Sequence, residues 1–172
     1  RTSIQSISRH PVRTLTNSIY RDICLDMDNY GAAVQVNHEP VASERRHDPD
    51  VRQRMSGPAM RTFLNIAQAW KLTVDEQRGL LGWPAASTFH KYKAGDVGLL
   101  TYDMLTRISL VIGIYKALHI LYGDELADRW VKLPNSNPQF AGRPALNFMV
   151  DTGIDGLYRV RRLLDGRRGG WN

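Results

Sequence analysis

Residues 101–122, TYDMLTRISLVIGIYKALHILY, decide the fold. Two apolar stripes run along them at helical spacing. Leu105, Ile108, Ile112, Tyr115, His119 and Tyr122 form one, and Leu110, Ile114, Leu118 and Leu121 the other. Thr101 stands where an N-cap hydroxyl is wanted. A helix that is apolar nearly all round must be buried nearly all round, so this one is expected to be a central pillar. Its richest run, Leu110 to Tyr122, is broken by Lys116 and His119 and is too short to span a bilayer.

Shorter helices are expected on both sides of the pillar. Met60, Phe63, Leu64, Ala67 and Trp70 fall at helical spacing, which predicts a helix over 59–71 with Pro58 at its start. Thr73-Val-Asp-Glu76 is a capping box in which hydroxyl and carboxylate each satisfy an orphan N–H, and Asp75 adds negative charge at the positive end of the dipole. The helix that it opens, 74–81, stops at Gly82. Pro84 then suits the first turn of a helix over 84–93 with Ala85, Phe89 and Tyr92 inward. Beyond the pillar, Gly123-Asp124 starts a helix to about Leu133, the PNSNP turn follows, and two helices cover about 143–150 and 153–165. The last places Ile154, Leu157, Val160 and Leu164 on one face, with Asp155 and Arg159 an i,i+4 pair outside. No strand pattern survives, so the chain is all-α. Residues 1–57 lack either period, and 44–54, ERRHDPDVRQR, is almost wholly polar. They read as an irregular N-terminal extension.

At 172 residues and 42% apolar content the chain supports one real core, or a core and a tail. A net charge of +6 with a pI near 9.7 points toward an anionic partner. The charge excess is spread, with 8 basic and 7 acidic residues in 1–57, 5 and 3 in 58–100, and 10 and 7 in 101–172, so charge alone locates no face. Cys24 is the single cysteine, which excludes an intrachain disulfide framework and a cysteine-built metal site. The first 30 residues contain no apolar signal-peptide core, and the cytoplasm is the expected compartment. The histidines at 10, 38, 47, 90 and 119 lack metal-ligand spacing. His119 lies on a buried stripe and reads as a hydrogen-bonded core residue. Asp124, Glu125 and Asp128 stand at a helix start, where carboxylates favour the dipole. With no glycine-rich phosphate loop and no convergent titratable cluster, neither a cofactor nor an enzyme activity is expected.

Two features carry function. LLGWPAASTFHKYKAG, residues 80–95, reads as a helix-turn-helix with helix 74–81, the turn Gly82-Trp83, and a recognition helix from Pro84. Phe89 comes one position later than the usual spacing, which implies a longer turn. The outward residues, Ser87, Thr88, His90, Lys91 and Lys93, can bond base edges or neutralise phosphates. The second feature is the carboxyl end, where Arg161, Arg162, Arg167, Arg168, Gly169, Gly170 and Trp171 form a basic tail that no core requires. Asn137 and Arg143 read as residues that shape the turn around them.

From about Pro58 to the C-terminus the sequence resembles the Xre/MbcA/ParS antitoxins, most closely ParS. The resemblance rests on Arg107-Ile108, Ile112-Gly113-Ile114-Tyr115, Trp130, Pro134-Asn135, Asn137-Pro138, Phe140, Gly142-Arg143-Pro144, Met149, Gly153, Leu157, Val160-Arg161 and Leu164, all in the right order. It implies a DNA-binding region over 58–100 and a toxin-binding domain over 101–172. The implied partner is a RES-domain toxin that consumes NAD, by degrading it or by transferring its ADP-ribose. Inhibition would come from covering the NAD cleft, with autoregulation at the promoter. Arg159, Arg161, Arg162, Arg167, Arg168, Gly169, Gly170 and Trp171 would supply guanidinium groups, close backbone approach and an aromatic anchor to that interface. A homodimer on paired half-sites, within a larger toxin–antitoxin complex, completes the expectation. The competing reading is a stand-alone helix-turn-helix regulator that dimerises through its C-terminal helices.

Overall fold

Seven α-helices and one short 3₁₀ turn make up the described residues, 48–168, of the computed structural model. The first helix, α1 (Pro49–Ala69), starts well before the expected position. Asp48 caps it by accepting from the Asp50 N–H at 2.8 Å, and Pro49 takes the first turn. Pro58 therefore lies inside the helix rather than at its start. The polar residues before it are helical because tertiary hydrogen bonds use them. Ser56, fully buried, donates to the Arg52 carbonyl at 2.7 Å and accepts from the Leu100 N–H at 2.9 Å. The Arg52 guanidinium donates to the Leu100 carbonyl at 3.2 Å. Residues 48–57 of the expected irregular extension thus belong to the fold, held by polar contacts that leave no apolar periodicity to read. Residues 1–47 lie outside the described ones.

The capping box forms as expected and opens α2 (Val74–Leu80). The Thr73 N–H donates to Glu76 Oε2 at 2.7 Å and the Glu76 N–H to Thr73 Oγ1 at 3.3 Å. Gly82, at φ +86°, carries the chain away from the helix end, as the left-handed region favours glycine. Next, α3 (Ala86–Lys93) begins later than expected, so Leu81–Ala85 forms a turn longer than Gly82-Trp83 alone. Phe89 is buried and Tyr92 half-buried, but Ala85 is exposed rather than inward, because it caps α3 instead of lying within it.

Thr101 caps α4 (Tyr102–Leu121) by accepting from the Met104 N–H at 3.2 Å. This helix is packed by α1, by α5 (Asp124–Trp130) and by α7 (Ile154–Arg168). Ile108, Val111, Ile114, Tyr115, Ala117 and Leu118 are buried, while Ile120 is 59% exposed. At 20 residues α4 is long and apolar enough to cross a membrane, which corrects the shorter reading of its apolar run. Only 33% of its apolar window is buried, which corrects the expectation of burial nearly all round: Leu105, Leu110, Ile112, Leu121 and Tyr122 are half-buried.

After α5 come the 3₁₀ turn η1 (Pro138–Phe140), α6 (Ala145–Thr152) and α7. Gly153, at φ +64°, turns α6 into α7. Arg107 of α4 seats two corners at once. A Cβ on Gly82 would stand 3.0 Å from its Nε, and one on Gly153 would stand 3.9 Å from its Nη1. Asp103 holds that guanidinium through a 2.7 Å pair. The hairpin turn and the α6–α7 corner therefore rest on the same side chain.

His119 is a core residue, as expected, with its side chain 2% exposed. Its Nδ1 lies 3.0 Å from the Tyr115 carbonyl and its Nε2 3.4 Å from Asp128 Oδ1. The second contact becomes an ion pair when the ring is protonated. Burial disfavours the charged ring. The Asp128 and Tyr115 oxygens and the Asp124 charge outweigh it and raise the pKa above the ordinary value. A raised folded-state pKa contributes stability below the unfolded value of about 6.5, and the contribution disappears as pH rises through the folded-state value. Thermal unfolding followed between pH 5.5 and 8.5 should therefore show a falling midpoint. Asp128→Asn should flatten that fall, and an unchanged slope would remove the pair as its source.

Candidate functional site

The carboxyl-terminal surface is built from an aromatic stack outward. Asn137 starts η1 by accepting from the Gln139 N–H at 2.9 Å, and Ala141 and Gly142 end it in the left-handed region. That turn buries Phe140 between Trp130 of α5 and Phe148 of α6, edge-on to both, at ring separations of 6.3 and 5.5 Å. The Phe148 ring also carries the Arg159 guanidinium at 5.0 Å, a cation–π contact. Asp155 stands 3.8 Å from the same guanidinium as a loose, exposed partner. Arg159 is thus oriented by the core rather than by another charge.

Arg159 shares an open depression with Gln139, Arg162 and Leu163. Arg162 is exposed and has no ion pair among the described residues. Gln139 Nε2 is buried and makes no hydrogen bond there. Sequence reasoning missed Gln139, because a glutamine in a turn carries no pattern. Only the asparagine cap two residues before it fixes where it stands.

The other arginines expected at this surface have intramolecular roles. Arg161 pairs with Asp165 at 2.7 Å, and its guanidinium lies directly on Gly113 of α4, where a side chain would overlap it. A side chain at Gly113 would displace this guanidinium from the α4–α7 crossing. Arg167 donates to the Tyr122 hydroxyl at 3.0 Å, and Arg168 lies 3.5 Å from Asp165. Gly169, Gly170 and Trp171 lie outside the described residues. Of the two turn residues, Asn137 caps η1 as expected, whereas Arg143 reaches Asp151 at 2.9 Å, an exposed pair.

At the hairpin, Ser87, His90, Lys91 and Lys93 are exposed and Thr88 is half-buried. Ser87, His90 and Lys91 stand three and four residues apart on one helix face. Trp83 precedes them, 54% exposed and at φ +60°, a region uncommon for a bulky side chain. Arg78 lies 5.7 Å over its ring and donates to the Pro84 carbonyl at 3.1 Å, which fixes the turn. No side chain caps the start of α3, so its first N–H groups lack the usual oxygen partner. No group of acidic, histidine or cysteine side chains able to hold a metal ion occurs among the described residues.

Residues 117–170, the end of α4 through α7 and into the tail, match the model of the antitoxin Xre/MbcA/ParS C-terminal toxin-binding domain. The uncharacterized protein y4oB of Sinorhizobium fredii is 42% identical over 112 residues, which cover 64% of this chain and 84% of that protein. The aromatic stack and the arginine-lined depression both fall within the matched domain. The chain carries the C-terminal toxin-binding domain of the Xre/MbcA/ParS antitoxin family.

Proposed function

We propose that this antitoxin neutralises a RES-domain, NAD-consuming or ADP-ribosylating toxin by covering its active site, and that it represses its own promoter. One observation carries the toxin half: the matched toxin-binding domain presents Arg159 and Arg162 on an open face. Guanidinium groups suit a cleft that recognises phosphates and carboxylates, because their fork of donors pairs with either. The basic tail through Trp171 extends that chemistry. The experiment uses the toxin encoded by the adjacent open reading frame. Purified chain added in equimolar amount should stop its consumption of NAD, and continued consumption at excess chain would contradict the reading.

The promoter half is supported by α3, where Ser87, His90, Lys91 and Lys93 are exposed, Ser87 and Lys91 stand opposite the buried Phe89, and Thr88 is half-buried. Two copies on paired half-sites fit this reading, and Ile120 and Leu126, 59% and 45% exposed, offer apolar surface for their contact. The cytoplasm, where promoter and NAD coexist, is the compartment that it requires. Lys91→Ala with Lys93→Ala should weaken promoter binding and lower the slope of affinity against salt by about 2 in log–log terms, with toxin inhibition intact. An unchanged slope would take these lysines off the DNA face.

A further inference from the structure

We infer that the depression formed by Gln139, Arg159 and Arg162 is a receptor for a carboxylate side chain on the toxin, with Gln139 its specificity-determining donor. The inference rests on the toxin-binding reading and narrows it to one subsite. Gln139 supplies the central argument. Its Nε2 is buried without a hydrogen-bond partner, although its backbone N–H is held by Asn137 at 2.9 Å. A buried amide donor left unpaired is destabilising, so an intramolecular role does not explain it. The neighbouring groups that line the depression are also donors. Arg159 is fixed over Phe148, and its one carboxylate partner, Asp155, is loose at 3.8 Å. Arg162 has no ion pair among the described residues.

Three sets of N–H groups, opposed only by the loose, exposed Asp155 and by Gln139's own amide oxygen, match a ligand that only accepts. An ionised carboxylate does so with two oxygens and can take a guanidinium fork and an amide together. Leu163 on the same rim favours a protein segment over a nucleic-acid phosphate, because a side chain flanking the acid can pack on it. Affinity would come from pairing donors that the free chain leaves unsatisfied, a type of discrimination that is steep when the acceptor is missing.

The test uses the full chain and the RES-domain toxin from the adjacent reading frame, with toxin affinity, promoter affinity and thermal midpoint measured for each variant. Gln139→Leu removes the orphan donor, so its thermal midpoint should equal or exceed that of the native chain while toxin affinity falls tenfold or more. Gln139→Glu places a negative charge against the incoming carboxylate and should lose more. Native toxin affinity in both variants would overturn the inference and leave the antitoxin reading standing. A fall in the midpoint of Gln139→Leu that matches its loss of toxin affinity would make Gln139 structural, which also overturns it. Loss of promoter affinity with toxin affinity kept would assign the depression to phosphate and overturn it. A native chain that does not bind the toxin at all would instead defeat the antitoxin–RES pairing itself.

Discussion

Phe140→Ala is expected to remove about 3–5 kcal/mol of stability, the range for truncating a buried phenylalanine. Phe140 is 1% exposed and touches Trp130 and Phe148 edge-on, so alanine leaves a void that η1 is too short to close. Against a total of about 5–15 kcal/mol for a typical domain, that loss is large. Urea denaturation should show a markedly lower midpoint. Toxin affinity should fall as well in the fraction that stays folded, because Phe148 would no longer hold Arg159 in place. A loss below about 1 kcal/mol, on the same scale of core truncations, would mean that the aromatic stack does not support the surface.

The second large effect is functional. Arg162→Glu should reduce toxin affinity about 100-fold or more, since interface arginines often contribute about 2 kcal/mol and a reversed charge adds repulsion. Stability should change little, because Arg162 is exposed and has no ion pair among the described residues. Arg161, its neighbour in sequence, should behave in the opposite way. Arg161→Ala gives up the Asp165 pair and the seat on Gly113, so it should lower the thermal midpoint more than it lowers toxin affinity. Equal affinity losses for the two variants would contradict this division of roles between adjacent arginines.

That division explains which parts of the site were legible in the sequence. Helix existence was readable because caps and apolar spacing are local. The Thr73–Glu76 capping box, the Thr101 cap and the buried α7 residues Leu157, Val160 and Leu164 all stand where the pattern put them. The start of α1 was not readable, because Ser56 and Arg52 are stabilised by Leu100, 44 and 48 residues away. A proline mid-helix also mimics a helix start. The arginines of α7 look alike in sequence, and only the packing of α7 on α4 separates Arg161, turned onto Gly113, from Arg159 and Arg162 in the depression. Gln139 could not be found at all, since an unsatisfied donor is a property of its surroundings. Arg107 is the converse case: the resemblance singled it out, and its contacts with Gly82 and Gly153 supply the physical reason.

The most direct test of the proposed toxin-binding face is amide hydrogen exchange of the full chain, alone and bound to its proposed partner, a RES-domain toxin. Binding through the arginine-lined surface predicts slower exchange in Pro138–Phe140 and Ile154–Arg168, with Ala86–Lys93 unchanged. Protection confined to Ala86–Lys93, with Ile154–Arg168 exchanging as in the free chain, would contradict it.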